Sequence, residues 1–237
     1  MIGVVVVSHS SALAHAAVDL ALQMVQGERP AIAIAAGAGE GLIGTDATAV
    51  SAAIDEVASP DGVFVIMDLG SAVMSAEMAL DFRASDGEVR LSSAPFVEGL
   101  LAAVVTAAGG ASLDDVDREA RGALAPKASM LGDAAPATTV APPAAARLSA
   151  DLTIINPDGL HARPAARLVS IVAGFDAEIT AVNPRTGQAP VSANSLIGLL
   201  SLGAKAGDVL TVAASGAQAA EALAKVTELV TDGFGEL

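Results

Sequence analysis

The chain contains no cysteine, no tryptophan and no tyrosine. Without thiols it can form neither a disulfide framework nor a thiolate metal site, and no metal or other cofactor is expected. Basic residues are scarce, with 12 Lys and Arg against 27 Asp and Glu and a formal charge of −15. A surface this negative repels nucleic-acid phosphates at long range, which argues against a nucleic-acid partner. Long apolar runs are missing too. Alanine and glycine carry much of the hydropathy, and charges or turn residues interrupt every apolar run well short of the ~20 residues that a membrane span needs. Met1-Ile2-Gly3-Val4-Val5 enters a strand with no basic region before it. Neither a signal peptide nor a membrane role is therefore expected, and the cytoplasm is the expected location. What is present is aliphatic content ample for proper cores, in 237 residues that suit one large or two modest domains.

The most informative stretch is Gly159-Leu160-His161-Ala162-Arg163-Pro164-Ala165. It places a histidine where a strand gives way to a helix, with an arginine two positions on and a proline inside the first turn. Free N–H groups and the positive end of a helix dipole face outward at such a start, so a phosphoryl group on the His161 ring would find donors in place. Arg163 adds a fixed cationic fork, and Pro164 suits a first turn because its φ is locked and its missing N–H has no intrahelical partner. This segment resembles the active-site motif of the phosphocarrier HPr, and the resemblance runs through residues 150–237.

The chain divides at Asp133 to Arg147, an Ala/Pro-rich run with neither helical nor strand period. It reads as an exposed, semi-stiff linker whose fifteen residues would reach roughly 45 Å in polyproline form. The expected organisation is therefore a first domain over 1–132, a linker over 133–149 and a second domain over 150–237. Six basic stand against eighteen acidic residues up to Asp133, and five against nine from Ala150 onward, so both domains are acidic.

In the first domain, short apolar runs alternate with helical patterns, which predicts βαβ units around a doubly wound, mostly parallel sheet. The runs are Ile2 to Val7, Ala31 to Ala35 and Val63 to Met67, followed by helices over Ser11 to Gln26, Asp46 to Ala58 and Ser71 to Phe82. A weaker strand near Val89 to Leu91 and helices over Phe96 to Ala108 and Leu113 to Ala125 complete the pattern. Ligands of such sheets bind beyond the carboxyl ends of the strands at the switch point. His9 and Asp68 both lie at such ends. If those strands are neighbours, Asp68 can hold one imidazole nitrogen, fix the tautomer, leave the other nitrogen's lone pair free to attack phosphorus and steady the resulting cation. Gly70 permits close backbone approach, and Ser71 is placed to cap the next helix so that its N-terminus points at the transferred group. His15 reads as structural or solvated, and Gly37, Gly39, Gly41 and Gly44 as turn chemistry.

Val-Ser-His-Ser-Ser after the opening strand and Asp-Leu-Gly-Ser-Ala after the third are similar to the mannose-type enzyme IIA domain, in the version that serves bacterial dihydroxyacetone kinase. The resemblance covers roughly residues 1–130, and the order IIA then HPr in one chain favours the same system.

The second domain reads as βαββαβα, which predicts helices on one face of an antiparallel sheet, an α+β open-faced sandwich. Its strands are Leu152 to Ile155, Ala177 to Val182, Pro190 to Ser192 and Val209 to Ala213. Its helices are Ala162 to Ala173, Ser195 to Leu202 and a last one behind a capping box at Ser215 to Gln218. Leu196, Ile197, Leu199 and Leu200 make the middle helix apolar all round, so part of it is expected to dock partners beside His161, with Arg163 and Arg167 adding charge complementarity. In HPr relatives a serine at the place of Ser195 can be a regulatory phosphorylation site. In this chain helix capping explains Ser195 by itself, and Asn194 replaces the basic residue often found before it.

Together the resemblances imply a phosphoryl relay. Enzyme I would phosphorylate His161, His161 would pass the group to His9, and phospho-His9 would rephosphorylate ADP held on a separate kinase subunit, the ATP then phosphorylating dihydroxyacetone on another. They also imply a homodimer through the first domain. Two other readings stand beside this one: a mannose-type sugar-transport component that delivers phosphate to a protein IIB, and a non-catalytic sensor whose phosphorylation state controls a regulator.

Overall fold

The computed structural model describes residues 1–25, 27–39, 41–131 and 148–236. Two compact units divide it, Met1–Leu124 and Ala125–Leu237. In the first, the elements run β1 (Gly3–Ser8), α1 (Ser11–Leu22), β2 (Ile32–Ala36), α2 (Ala47–Glu56), β3 (Val63–Met67), α3 (Gly70–Phe82), β4 (Val89–Ser92), α4 (Phe96–Ala108) and α5 (Leu113–Gly122). The strands pair in parallel in the order β2-β1-β3-β4.

All six residues of β1 are buried, as a central strand covered on both faces requires. Its side chains alternate: Val4 and Val6 face a core shared with α1, α4 and α5, while Val5 and Val7 face one shared with α2 and α3. The sheet is thus doubly wound. β1 leads to β2 on one side and lies beside β3 on the other, so the chain diverges after β1 and β3 and opens a crevice at their carboxyl ends. The register Val7↔Met67 sets the two strand ends level there.

The second unit holds α6 (Ala125–Leu131), β5 (Leu148–Thr153), α7 (Ala162–Val172), β6 (Glu178–Val182), β7 (Val191–Ser192), α8 (Leu196–Ser201), β8 (Val209–Ser215) and α9 (Ala219–Thr231). Its sheet is antiparallel in the order β5-β8-β6-β7. Leu152, Ile179, Ala181, Leu210, Val212 and Ala214 are buried from the sheet, and Leu168, Val169, Val172, Val226 and Val230 from the helices. This is the α+β layer that the sequence pattern predicts.

Several expectations need correction. β5 starts at Leu148, four residues early, because its alternation with β8 reaches Leu148↔Ala214. Residues 148 and 149 therefore belong to a strand rather than to the linker, and the rest of that run, from 133 to 147, lies outside the described residues. α6 lies where no helix is expected, and α5 stops at Gly122. No capping box opens α9, since Ser215 ends β8 and Gln218 instead accepts the Asp176 N–H at 2.7 Å. Among the described residues no helix is long and apolar enough to cross a membrane.

Candidate functional site

His9 and Asp68 meet in the crevice between β1 and β3. Asp68 Oδ1 lies 2.8 Å from His9 Nδ1 and accepts the Leu69 N–H at 2.7 Å; Oδ2 accepts the His9 N–H at 2.8 Å and the Ser8 hydroxyl at 2.9 Å. Burial to 7% side-chain exposure works to raise this carboxyl. The donors from His9, Ser8 and Leu69 outweigh that effect and hold it below the ordinary carboxylate value. An ionised Asp68 accepts only, so the His9 proton sits on Nδ1 and the lone pair on Nε2. The Ser71 hydroxyl, 2.7 Å from Nε2, then donates to that lone pair.

Neighbouring loops fix the backbone. Gly37 N–H donates to the Ser8 carbonyl and Gly44 N–H to the His9 carbonyl, both at 3.0 Å. The glycine-rich loop after β2, expected to be turn chemistry alone, therefore also braces the histidine. Ser71 is not the helix cap. α3 begins one residue earlier with Leu69 at its N-cap and no side-chain acceptor there, so Ser71 falls in the first turn and faces His9. Among the described residues, nothing beyond its chain neighbours and its own helix backbone lies within 4 Å of a would-be Cβ on Gly70. Its missing side chain keeps space over the helix start open, rather than serving a close approach of the protein's own backbone. His15 lies on the exposed side of α1, with Nδ1 2.7 Å from the Ser11 carbonyl oxygen.

In the second unit His161 is the N-cap of α7, with Arg163 and Pro164 in the first turn. The turn before it is built on Gly159 at φ +71, where an added Cβ would lie 2.4 Å from the Ala204 carbonyl oxygen. The His161 ring is 38% exposed, and its Nε2 lies 3.1 Å from Glu236 Oε2. With this carboxylate on Nε2, the proton is held there and Nδ1 keeps the lone pair, the reverse of His9. Glu236 arrives after a short 3₁₀ turn, Gly233–Gly235, in which buried Phe234 has φ +58. Arg167 donates to the Phe234 carbonyl and so holds that turn. Arg167, expected to offer docking charge, thus serves the segment that delivers Glu236. Arg163 is exposed and paired with no described residue.

The expected docking helix divides by helical period. Leu196 and Leu199 are fully buried in the core and cannot meet a partner; Ile197 and Leu200 are half-exposed. Ser195 caps α8, its hydroxyl accepting the Gly198 N–H at 2.8 Å. Glu236 and Asn156, a fully buried neighbour that donates to it at 3.2 Å, were not singled out from sequence. The signal available for Glu236 was the Gly-Phe-Gly break after α9, which turns the chain back.

Comparison with known proteins bears on both sites. A family model described as the fructose IIA component of the PTS system matches residues 3–117, and one described as the PTS HPr component phosphorylation site matches residues 148–232. The phosphoryl donor subunit DhaM of PEP-dependent dihydroxyacetone kinase from Pantoea ananatis is 43% identical over 244 residues, covering 100% of this chain and 51% of that protein. Its Escherichia coli counterpart is 41% identical with the same coverage. The chain spans about half the length of the curated relatives it matches. The crystal structure of an HPr from Thermoanaerobacter tengcongensis is 33% identical, covers 38% of this chain and 98% of its own, and has a TM-score of 0.36. The chain carries a IIA domain followed by an HPr domain of the phosphotransferase system, and over its whole length it is similar to phosphoryl donor subunits of PEP-dependent dihydroxyacetone kinase.

Proposed function

We propose that the chain relays phosphoryl groups for a PEP-dependent dihydroxyacetone kinase, from enzyme I to His161, from His161 to His9, and from His9 to ADP bound on a kinase subunit. One observation carries this reading: each histidine has a carboxylate on one ring nitrogen, which leaves the other as a nucleophile. His161 Nδ1 attacks phosphorus on the enzyme I phosphohistidine, and the P–N bond behind it breaks as the new one forms. His9 Nε2 then takes the group from His161 Nδ1 in the same in-line manner, and the Ser71 hydroxyl turns from the lone pair toward a phosphoryl oxygen. Asp68 and Glu236 offset the positive charge that each ring gains. Arg163 and the N–H groups at the start of α3 supply donors to the phosphoryl oxygens. Such transfer depends mainly on positioning and electrostatics.

Phospho-His9 finally gives its group to the ADP β-phosphate, and the ATP so formed phosphorylates dihydroxyacetone on another subunit. On this reading the chain works in the cytoplasm, as a homodimer through its first unit, with Ile197 and Leu200 as the docking residues that α8 leaves accessible. Incubation with phosphoenolpyruvate and enzyme I should place an acid-labile phosphate on both histidines. His161→Ala should abolish both signals, and His9→Ala should leave His161 labelled while dihydroxyacetone phosphate formation stops. Turnover undiminished in either variant refutes the relay. The fructose IIA description of the matched model favours a second reading, transfer to a sugar-transport IIB protein. Mixing the phosphorylated chain with each acceptor separates the two.

A further inference from the structure

We propose that Asn156 is a positioning residue for the His161 relay, one buried amide that holds both Glu236 and the backbone entering His161. The proposal rests on the reading of His161 as a phosphoryl carrier. Asn156 is fully buried, and its Nδ2 donates to the Gly159 carbonyl at 2.5 Å and to Glu236 Oε2 at 3.2 Å. Both acceptors also touch the histidine. The Gly159 carbonyl accepts the His161 N–H at 3.0 Å, and Glu236 Oε2 lies 3.1 Å from Nε2. The two amide hydrogens thus tie the ring's backbone and its carboxylate to one rigid point.

The turn does not need this side chain. It is already closed by the Gly159 N–H on the Asn156 backbone carbonyl at 3.1 Å. The amide orientation is also forced. Rotated by half a turn, it would set its oxygen against a carbonyl and a carboxylate, two acceptors with no hydrogen between them. In the orientation present, Oδ1 is buried with no partner among the described residues. A buried orphaned acceptor costs stability, so packing alone does not account for an asparagine here. The two donors are what the side chain supplies against that cost.

Asn183, in the same unit, shows what a structural asparagine looks like. It too is fully buried, but its Oδ1 accepts the Arg185 N–H at 3.1 Å while Nδ2 donates to the Leu202 carbonyl at 3.2 Å and to Asp208 at 3.1 Å. Every polar atom there closes a local turn or a strand end, and none of these bonds reaches His161. It serves as the matched control.

The consequence lies in the tautomer. Glu236 selects the Nε2–H form and leaves the Nδ1 lone pair for phosphorus only while it is held in place, and Asn156 is the side chain that holds it. Asn156 acts on the tautomer through Glu236, so removing both should shift the tautomer no more than removing Glu236.

The test uses the ¹⁵N-labelled full chain at about pH 8.5, where a histidine ring is neutral. Ring ¹⁵N shifts report the His161 tautomer, and phosphoenolpyruvate with enzyme I reports the rate of His161 phosphorylation. Asn156→Ala should reduce the Nε2–H population to the level of Glu236→Ala, the double variant should go no further, and phosphorylation should slow by about tenfold. Asn183→Ala should leave both readouts unchanged despite a comparable loss of stability. An unchanged tautomer in Asn156→Ala, an equal shift in Asn183→Ala, or additive effects of the Asn156 and Glu236 changes overturns the proposal while leaving the relay intact. If instead the wild-type His161 accepts no phosphoryl group but the tautomer coupling holds, the relay reading falls and the positioning role stands.

Discussion

Replacing Asp68 by asparagine tests the first site most sharply, because the change keeps shape and removes only charge and acceptor capacity. The carboxylate receives four donors, two on each oxygen. An amide has one acceptor oxygen, so its nitrogen must face one pair of those donors. Placed at Oδ1, it meets the fixed Leu69 N–H and compels His9 Nδ1 to accept, which moves the ring proton to Nε2 and removes the nucleophilic lone pair. Placed at Oδ2, it meets the fixed His9 N–H. Either way one backbone N–H loses its partner, which costs about 2 kcal/mol of stability. For catalysis, either placement loses the anion that balances the cationic ring, about 2 kcal/mol, and the placement at Oδ1 costs about 2 kcal/mol more to restore the productive tautomer. His9 phosphorylation should therefore slow by about 30-fold with the nitrogen at Oδ2 and about 10³-fold with it at Oδ1. Hydrolases whose histidine is oriented in the same way lose on the order of 10⁴ for this change. The assay is rapid-quench transfer from enzyme I, with phosphate on His161 as an internal control. Labelling of His9 within threefold of wild type, with His161 loading unchanged, would refute the reasoning.

Three further outcomes follow from the same geometry. Ser71→Ala removes the hydroxyl that faces Nε2 and should slow His9 phosphorylation by roughly tenfold; a variant as fast as wild type would remove Ser71 from the site. Gly159→Ala forces a side chain into positive φ and against the Ala204 carbonyl oxygen, and should destabilise the second unit by about 3 kcal/mol, measured as a fall of about 15 °C in its melting temperature. The Asp208 carboxyl is held down to about 2, chiefly by its hydrogen bond from Arg185 and then by the Lys205 N–H. Its contribution is complete above the unfolded value near 3.8 and is lost as pH falls through about 2. Asp208→Asn should cost about 1 kcal/mol at pH 7, because Arg185 is half-exposed and solvent screens the pair, and chemical denaturation should show that difference shrinking as pH falls from 3.8 through about 2.

Much of this was legible in the chain because parallel sheets write their topology into it. The unbroken valines of β1 mark a strand covered on both faces, and in such a sheet the residues just past neighbouring strand ends must meet, which is how His9 and Asp68 can be paired from 59 residues apart. Ser71 could be placed near the site but not assigned its contact, because that depends on whether α3 starts at residue 70 or 71. A one-residue shift rotates the side chain by about 100°. The α8 leucines illustrate the reverse difficulty. A helix that is apolar all round does not say which leucines face in, and the choice of Leu196 and Leu199 is made by the neighbouring elements, α7, α6 and β7. Glu236 lies 75 residues from His161, beyond any local pattern, and it reaches the ring only because Phe234 turns the chain left-handed after α9.

The two histidines use one principle in mirrored form. At His9 the carboxylate takes Nδ1 and leaves Nε2; at His161 it takes Nε2 and leaves Nδ1. The mirror follows from where each carboxylate comes from. Asp68 stands on a neighbouring strand end, level with the His9 backbone, so it captures both the main-chain N–H and the near ring nitrogen. Glu236 approaches from a distant turn and meets the far nitrogen, so a second group must fix its position, whereas Asp68 is fixed by its own four bonds. Both rings therefore carry one anion behind the nitrogen that keeps the lone pair. On the proposed relay, that anion would offset the charge each ring gains when phosphorylated, and the direction of flow would be set by the donor that fills the first ring and the acceptor that empties the second.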